Sequence, residues 1–565
     1  MKRGKLAISL FTIVLIMVAV SFGRYEMGKH HFPFSVKVAM DGHEVEIPCM
    51  KMSDGYTVFL PAYGKQADVT ILSNPVYDVR IGDQLLTTGL DCSQFPEGSA
   101  LPLLYDSEEG IQESTVTFLR SANVGTIYID VPSGSMSYIH EAKGNEERGE
   151  IQVYSADGKL WYMGHLDSIR GRGNATWEYR KKPYSLTLSD SGDLLGMGAA
   201  KEWILLANAT DPTHLRNKIA YDLAEEVGLP YSPECKWVDL YLNGNYAGLY
   251  LLTERNEIHP QRIAADSDGF LVSMELEYLL LEKNHPYICT SRGTVLRIHH
   301  SDLSQEELRG IWESAENAIF SEDGIDLETG LAWTDLIDVD SWARKYLLEE
   351  LMGNYDAGSV SQYFYYEKAS GKIYAGPVWD MDNSMGNSQW TSAVNAILAG
   401  REHLWSDADV SLYDALLKKA AFRERAAELY RENYRPALLH LCETGLEQYA
   451  AEIREPEEMN RKRWSGKSPE ADIAELRTYL KSRMSFLEAF WENRDNFVTV
   501  HAWKPYTIWG CWAISPGEKV DWLDAEEGYV WIDLETGEPF DMESPVYKDI
   551  ILRKEQVAET EGRLP

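Results

Sequence analysis

The sequence predicts an α+β chain built from several domains, and three observations predict that class. Short alternating runs broken by turn signals predict strands in residues 34–123 and again after residue 498. Apolar residues recur at helical spacing through much of residues 304–493. The length of 565 residues exceeds what a single core supports and indicates about three domains.

The composition excludes some classes of partner. The chain has a formal net charge of −35, and 44% of its residues are hydrophobic. This apolar content excludes global disorder, and the negative charge repels nucleic acid and anionic lipid surfaces. The charge favours a basic substrate, although an acidic surface that serves only solubility is the alternative. We expect the partner to be a basic, Ser-rich protein. The six cysteines show no metal-ligand spacing, and we expect mostly free thiols, with Cys49 and Cys92 as the one candidate disulfide.

Residues 1–33 predict a membrane anchor or a signal peptide. Three positive charges at Lys2, Arg3 and Lys5 precede the uncharged run 6–22, which is long enough to span a bilayer. No Ala-x-Ala cleavage site follows, so we favour an uncleaved single-span anchor over a cleaved signal peptide. The basic flank stays inside, which places the bulk of the chain outside the cytoplasm. A secreted protein is the alternative.

The two ends of the soluble chain predict small β modules. Residues 34–124 contain a hairpin signal at Asp41-Gly42 and further short strands, and we interpret them as a β-sandwich-like module. Residues 498–565 are β-like again and rich in Trp, which is typical of packing in a small domain or of glycan binding. Neither module carries a catalytic signal.

The stretch from Gly353 to Asn387 contains the strongest functional signal. It places Asp356 in a Gly-bearing loop, continues through a hairpin that turns at Ser370-Gly371, and ends in the acidic pair Asp380 and Asp382. Phosphoryl transfer needs one Asp that orients the attacking hydroxyl and another that holds magnesium against the nucleotide phosphates. The loop acid and the acidic pair are candidates for these roles. Taken alone, an Asp-x-Asp after a strand is also typical of a turn or a helix N-cap.

This stretch departs from the ordinary protein-kinase signature. No His-Arg-Asp precedes Asp356, and Ser361 and Gln362 stand near the place of the expected metal-binding Asn. Because Gln also offers a carbonyl oxygen, Gln362 is a candidate metal ligand. Met381 and Asp382 replace the Phe and Gly of the Asp-Phe-Gly triplet.

Basic residues upstream are candidates for phosphate contacts. Residues 170–174 form a Gly-bearing turn, in which Arg172 offers a planar double donor. Lys182 begins an alternating run, so a strand would aim its amine into a cleft; Lys181 is the alternative, and an exposed surface position is the simpler interpretation. A helix then begins at Asp211-Pro212, and Arg216 in its first turn lies where it would reach the cleft.

Several motifs occur in an order that is similar to a known family. The central ones are Asn354-Tyr355-Asp356 and Gly376-Pro377-Val378-Trp379-Asp380-Met381-Asp382. Upstream stand residues 169–177, 181–184 and 215–221. Together these motifs resemble the spore coat protein H (CotH) kinase-like family, from near Thr126 to near Asn496.

The resemblance implies an atypical protein-kinase-like fold of two lobes over residues 125–497, with an N-lobe at about 125–257 and a C-lobe at about 258–497. It implies ATP and Mg²⁺ as cofactors, with Mn²⁺ as a substitute, and a spore-associated or secreted location. It gives Asp356 the catalytic role. Asp380, Asp382 and Gln362 would bind metal. The residues that would contact nucleotide are Lys182, Arg172, Arg216 and Glu254, the last because it leaves a hairpin where a kinase hinge meets adenine.

These inferences predict an extracytoplasmic, Mg²⁺-dependent kinase that transfers the γ-phosphate of ATP to Ser or Thr of a protein. One alternative is a non-catalytic cell-surface or spore-coat assembly protein that keeps the fold, which Gln362 in place of Asn favours. A second alternative is a glycosidase with Asp356 and Asp380 as its carboxylate pair. That alternative leaves the basic motifs without a role.

Overall fold

The computed structural model describes residues 32–74, 78–107, 110–265, 268–354, 356–358, 360–388, 393–397, 412–503, 510–523, 526 and 528–556. The predicted membrane anchor at residues 6–22 lies outside these ranges. Among the helices within them, none is long and apolar enough to cross a bilayer. The mixture of helices and several sheets confirms the α+β class. The kinase-like arrangement of two lobes stays a prediction.

The amino-terminal region forms two antiparallel-rich sheets that share one apolar core. Its strands are β1 (Phe34–Met40), β2 (His43–Pro48), β3 (Met50–Met52), β4 (Gly55–Leu60), β5 (Asp68–Ser73), β6 (Val79–Ile81), β7 (Gln84–Leu85), β8 (Leu101–Ser107) and β9 (Gly110–Arg120). The sheet orders are β2-β1-β5 and β3-β4-β9-β8-β6-β7. Asp41 and Gly42 close the β1–β2 hairpin with φ of 52° and 81°, as a type I′ turn requires.

The next region is a closed barrel of seven strands. These are β10 (Gly125–Asp130), β11 (Glu146–Tyr154), β12 (Leu160–Gly171), β13 (Tyr184–Asp193), β14 (Ala199–Leu206), β15 (Cys235–Leu242) and β16 (Asn245–Glu254). The order is β10-β11-β12-β13-β14-β16-β15, and the parallel pair β10–β15 closes it. Apolar side chains such as Ile151, Leu186 and Leu240 fill the interior. Closure leaves the barrel without a free sheet edge.

Two helices are inserted in the barrel sequence, α1 (Ser137–Glu141) and α2 (Arg216–Glu226). The second begins later than the predicted start at Asp211-Pro212. The Asp211 carboxylate instead caps a turn before the helix, where it accepts hydrogen bonds from the backbone N–H groups of Thr213 (3.0 Å) and Arg216 (2.9 Å). The apolar face of α2 packs into the large core beneath the barrel and not into the barrel interior.

The region that follows the barrel combines one sheet with many helices. Its strands are β17 (Phe270–Met274), β18 (Tyr287–Cys289), β19 (Val295–Ser301), β20 (Gln362–Glu367) and β21 (Lys372–Ala375), in the order β18-β19-β17-β20-β21. Its helices are α3 (Glu277–Lys283), α4 (Gln305–Phe320), α5 (Trp333–Leu336), α6 (Val339–Met352), α7 (Leu412–Leu417), α8 (Ala420–Leu429), α9 (Arg435–His440), α10 (Leu446–Glu452), α11 (Arg454–Trp464) and α12 (Glu470–Glu492). Ser304 and Glu307 form a capping box at the start of α4, which the run Ser304-Gln305-Glu306-Glu307 predicts, and Asp338 caps α6.

The two faces of this sheet have different surroundings. Val272 and Phe364 point to the helices, where Phe364 packs against Trp312 and Trp342 with ring centroids 5.1 and 4.8 Å away. Because side chains alternate along a strand, Tyr363 lies on the opposite face. That face turns toward the loops that follow β21.

Helix α11 joins the helical region to the barrel. Asn460 accepts a hydrogen bond from the N–H of Leu249 (3.2 Å), and the Trp464 indole donates to the carbonyl of Ala247 (2.9 Å). Gly248 lies between these contacts with φ of 124°, and a Cβ there would lie 2.6 Å from the Asn460 amide oxygen. Only glycine permits this close approach.

A four-stranded sheet forms the end of the described chain. Its strands are β22 (Val498–Trp503), β23 (Gly510–Ile514), β24 (Tyr529–Asp533) and β25 (Ile550–Gln556), in the order β23-β22-β25-β24. The backbone of Ile397 donates to the carbonyl of Cys511 (2.8 Å), which attaches this sheet to the helical region. All six cysteines, Cys49 and Cys92 included, are free thiols.

Helix α12 is held to α6 by a fully buried cation. The Arg483 guanidinium donates to the Glu350 carboxylate (2.7 Å), to the Glu350 carbonyl (2.8 Å) and to the carbonyls of Val394 (2.6 Å) and Ala396. Both members of the ion pair are at most 2% exposed. The pair therefore fixes the end of α6 just before the loop that carries Asp356.

We predict that Arg483→Met lowers the free energy of unfolding by about 3–5 kcal/mol, because it leaves a buried carboxylate without its cation. The control is Arg435→Met, which removes an ion pair with Glu488 whose side chains are 50% and 38% exposed. The control should change that free energy by about 1 kcal/mol or less. Urea denaturation followed by tryptophan fluorescence measures both, and equal losses would contradict the argument from burial.

Candidate active site

The acidic pair lies in a tight loop directly after β21. Asp380 has a left-handed backbone conformation with φ of 63°, which an Asp adopts more readily than most residues. Its carboxylate accepts a hydrogen bond from the Ser361 hydroxyl (3.2 Å), and the Asp382 carboxylate accepts one from the Thr210 hydroxyl (2.6 Å). The side chains are thus held by two different parts of the chain, one before β20 and one after the barrel strand β14.

The start of α2 fixes the backbone of this loop. The Asn217 side chain accepts a hydrogen bond from the N–H of Met381 (2.9 Å). Arg216 donates to the carbonyls of Ser384 (3.0 Å) and Met385 (3.3 Å). Asn387 adds a further tie, because its amide donates to the carbonyls of Asp382 (2.7 Å) and Thr210 (3.0 Å). The acidic loop is consequently rigid at both ends.

Arg216 is itself held by a buried ion pair with Asp211, whose side chains are 5% and 1% exposed. Burial opposes ionisation of Asp211, but the Arg216 guanidinium and hydrogen bonds from Arg216 and Thr213 hold the pKa of that carboxyl below its usual value. The guanidinium that we predicted as a nucleotide contact is therefore occupied by Asp211 and by the acidic loop. These contacts hold the loop of Asp380 and Asp382, and a nucleotide contact by Arg216 stays a prediction.

The negative charges of the two loop carboxylates are only partly balanced by nearby cations and hydrogen-bond donors. Burial and the charge of Asp380 raise the pKa of Asp382 to about 6, and Asp211 adds to the effect. Burial also raises the pKa of Asp380, against the opposing influence of Arg172 and the Ser361 hydrogen bond. A cation bound between these carboxylates would relieve this repulsion.

Arg172 is the cationic side chain that faces this pair. Its guanidinium lies over the Trp379 ring, 5.3 Å from the centroid, directly beside Asp380. Tyr221 of α2 also stacks on that indole, with ring centroids 5.9 Å apart. The turn of residues 170–174 after β12 thus reaches the acidic loop, as the predicted phosphate contact requires.

The loop of Asp356 lies next to the acidic pair through Ser361 and Gln362. The N–H of Asp356 donates to the Asn354 side chain (3.3 Å), and Asn354 donates to Glu349 of α6 (2.6 Å). The carbonyl of Asp356 accepts from the Gln362 amide (3.4 Å). Since the neighbouring Ser361 hydroxyl contacts Asp380, the predicted base and the predicted metal ligand lie on adjoining segments.

Gln362 has a different setting from the one the sequence predicts. It pairs with Met274 on the face of β20 that points to the helices, and its amide N–H₂ also donates to the carbonyl of Val360 (3.2 Å). The structure does not bring this side chain into contact with Asp380 or Asp382. Its Oε1 is buried and has no hydrogen-bond partner among the described residues.

Neither candidate lysine contacts the acidic pair. Lys182 donates to the carbonyl of Trp177 and lies over the Trp177 ring, 4.7 Å from its centroid. Lys181 is buried under α11, where its amine donates to the carbonyl of Leu249. Burial lowers the pKa of Lys181 to about 7, although Asp239 and Glu457 oppose the shift. The phosphate-contact role of Lys182 stays a prediction.

Glu254 also lies away from the acidic loop. Its carboxylate accepts hydrogen bonds from the Tyr231 hydroxyl (2.8 Å) and from the N–H of Glu234 (3.0 Å), and it lies 3.5 Å from Arg262. The group is 2% exposed and fixes the end of β16. Both hydrogen bonds are accepted by Oε2, while Oε1 faces Arg262 Nε at 3.5 Å. A nucleotide contact by Glu254 stays a prediction.

A comparison with family models supports the resemblance seen in the sequence. The model of the CotH kinase protein family matches residues 169–487, which is more than half of the chain. The chain belongs to this family. A comparison with curated proteins gave no match. The CotH match begins at the end of β12, includes Arg172 and the whole acidic loop, and ends within α12.

The CotH region contains positioning residues that sequence reasoning did not single out. They are Thr210, Asn217 and Asn387, which hold the acidic loop. The available signals were the family-like motif that contains Arg216 and Asn217 and the Gly386-Asn387 pair behind the acidic loop. Within the described ranges, no group of three or more His, Cys, Asp or Glu side chains is arranged to hold a metal ion. A metal here would rest on Asp380 and Asp382 and on ligands from outside the protein.

We predict that Asp382→Asn stabilises the protein at pH 7.5 in EDTA by about 1–3 kcal/mol, because a carboxyl with a raised folded-state pKa destabilises the fold once it ionises. The amide keeps an acceptor for Thr210. The gain should vanish as pH falls from about 6 to about 4, where Asp382 is protonated in both states. Thermal unfolding across this range measures it, with exposed Asp83→Asn as the control. A variant less stable than wild type at pH 7.5 would contradict the account.

Proposed function

We propose that this CotH protein is a Mg²⁺-dependent kinase that transfers the γ-phosphate of ATP to Ser or Thr of a protein. The observation that supports it best is the acidic pair, half-buried Asp380 and buried Asp382, whose loop is held by α2, with Arg172 and the Asp356 loop beside it. This set supplies an acid–base group, two anionic oxygen ligands and a phosphate-binding cation, which are the parts that phosphoryl transfer needs.

The donor set fits magnesium. Mg²⁺ is typically held by one or two carboxylates together with substrate phosphates and water, so a protein site with only two carboxylates is sufficient. The raised pKa of Asp382 indicates uncompensated negative charge at the site. When bound, Mg²⁺ would neutralise charge on the phosphates. Asp380 and Asp382 would hold it, together with oxygens of the nucleotide phosphates and water.

The remaining residues have separate tasks. Asp356 orients the acceptor hydroxyl and accepts its proton as the oxygen bonds to the γ-phosphorus and the bond to ADP breaks. Asn354 and Gln362 position Asp356 through its backbone. Arg172 donates to phosphate oxygens from its place over Trp379. Lys182 and Glu254 would need to exchange their present partners in order to contact nucleotide.

Two substitutions separate metal binding from proton transfer. Asp380→Ala should abolish the Mg²⁺ dependence of ATP binding, measured by calorimetry. Asp356→Asn keeps shape and should lower phosphate incorporation about 10²- to 10⁴-fold with little change in ATP affinity. Both are measured on the same preparations, with thermal unfolding to verify the fold. Equal loss of ATP affinity in both variants would show that Asp356 binds metal instead.

A second candidate function is a non-catalytic binding or assembly protein. It is favoured by the placement of Lys181 and Lys182, since neither amine reaches the acidic loop. If wild-type protein binds no ATP at millimolar concentration in the presence of Mg²⁺ or Mn²⁺, this second candidate function is favoured over the kinase.

We also propose that the described part of the chain lies outside the cytoplasm, anchored by residues 6–22. The basis is the charge pattern of the first residues. A reporter fused after Phe34 should be active only outside the cytoplasm, and the mature protein should retain residues 1–22. Protein sequencing that finds a mature start between Phe22 and Phe34 would show a cleaved signal peptide.

A further inference from the structure

Arg297 is an arginine without a partner in the wall of the candidate site. It lies on β19, where it pairs with Ser273 of β17, and Ser273 pairs in turn with Tyr363 of β20. Cross-strand partners share a face, so Arg297 and Tyr363 lie on the side of the sheet that turns toward the acidic loop. The ring of Tyr363 meets that of Trp379 edge-on at 6.5 Å.

This row of contacts links two guanidinium groups. Arg172 lies over Trp379 on the barrel side, and Arg297 ends the row on the sheet side. The Tyr363 hydroxyl lies within the electrostatic reach of both. Burial and Glu275 raise the pKa of Tyr363 to about 12, while Arg297 and Arg172 oppose the shift. Arg172 therefore lies at the Trp379 end of this row of contacts, and Arg297 lies at its other end, beyond Tyr363 and Ser273.

The guanidinium of Arg297 forms no hydrogen bond or ion pair with any residue in the described ranges, and its Nε is buried. The nearby Glu275 carboxylate instead accepts from the Ser273 hydroxyl (3.1 Å), and the same hydroxyl lies 2.9 Å from His299 Nε2. A partly buried guanidinium normally finds a carboxylate, carbonyl or phosphate, because its desolvation is otherwise uncompensated.

Further positive charge surrounds this position. Lys283 precedes Arg297 in the chain and donates to the Asn174 side chain in the turn of Arg172. Burial lowers the pKa of His285, and so do the nearby cations Arg297, Lys283 and Lys143. Basic groups from the barrel and from the sheet therefore meet at one edge of the site, in a chain whose net charge is −35.

We propose that Arg297 is an anion-binding residue on the sheet side of the site, which takes a phosphate or carboxylate oxyanion through its planar fork. This deepens the proposed kinase function and rests on it for the identity of the ligand. The oxyanion comes either from the polyphosphate of the nucleotide or from an acidic side chain near the acceptor hydroxyl. Both offer the paired oxygens that a guanidinium binds bidentately.

The test measures binding, so it does not depend on turnover. In the first arm, full-length protein and its Arg297→Gln variant are titrated with inorganic tripolyphosphate in EDTA, and calorimetry measures the binding. In a second arm they are titrated with fluorescent peptides that differ only in having Glu, Gln or Lys around one Ser, followed by anisotropy. Arg292→Gln is the control, because Arg292 is exposed and stacks on Phe320.

We expect Arg297→Gln to lower the affinity for one of these ligands about 10-fold or more, because a partly buried charged contact is lost. Arg292→Gln should leave both affinities unchanged. Weakened tripolyphosphate binding identifies the nucleotide as the source of the oxyanion. Selective weakening of the Glu peptide identifies the acceptor. Unchanged affinities in both arms, with an unchanged melting temperature, would overturn the proposal. If the protein transfers no phosphate, both binding measurements can still be interpreted, because neither requires turnover.

Discussion

The candidate site depends on one buried ion pair, Asp211 with Arg216. The Asp211 carboxylate fixes the turn before α2, and the Arg216 guanidinium then reaches two carbonyls of the acidic loop. The next residue, Asn217, takes the N–H of Met381. Neither charge can be removed singly without leaving the other unpaired in a water-free environment. The barrel, the helix and the acidic loop are for this reason one mechanical unit.

This unit holds two carboxylates in a position that the fold alone does not favour. Thr210 and Ser361 each donate one hydrogen bond to them, but Arg172 stacks on Trp379 and does not form a close ion pair with Asp380. Repulsion between the two acids therefore remains. Functional sites commonly retain such unfavourable charge because a ligand supplies the compensation, and the surrounding core provides the stability to maintain it.

Local signals in the sequence were sufficient for some features and insufficient for others. The hairpin at Asp41-Gly42 and the capping box of α4 follow from neighbouring residues, and so they were predicted correctly. The contact of Arg216 with Ser384 joins residues 168 positions apart, and those of Glu254 join different elements 20 and 23 positions apart, which periodicity does not report. The sequence therefore identified the acidic loop but not the partners of Arg216 and Glu254. Arg297 belongs to no motif that the sequence analysis found.

The contacts between helix α11 and the barrel can form only after most of the chain has been synthesised. Its Asn460 and Trp464 complete the hydrogen bonding of barrel residues 247–249, more than two hundred positions earlier. Contacts of such sequence separation form late, because a long loop must close before they contribute. A chain that emerges from its amino terminus exposes the seam at Gly248 until α11 arrives.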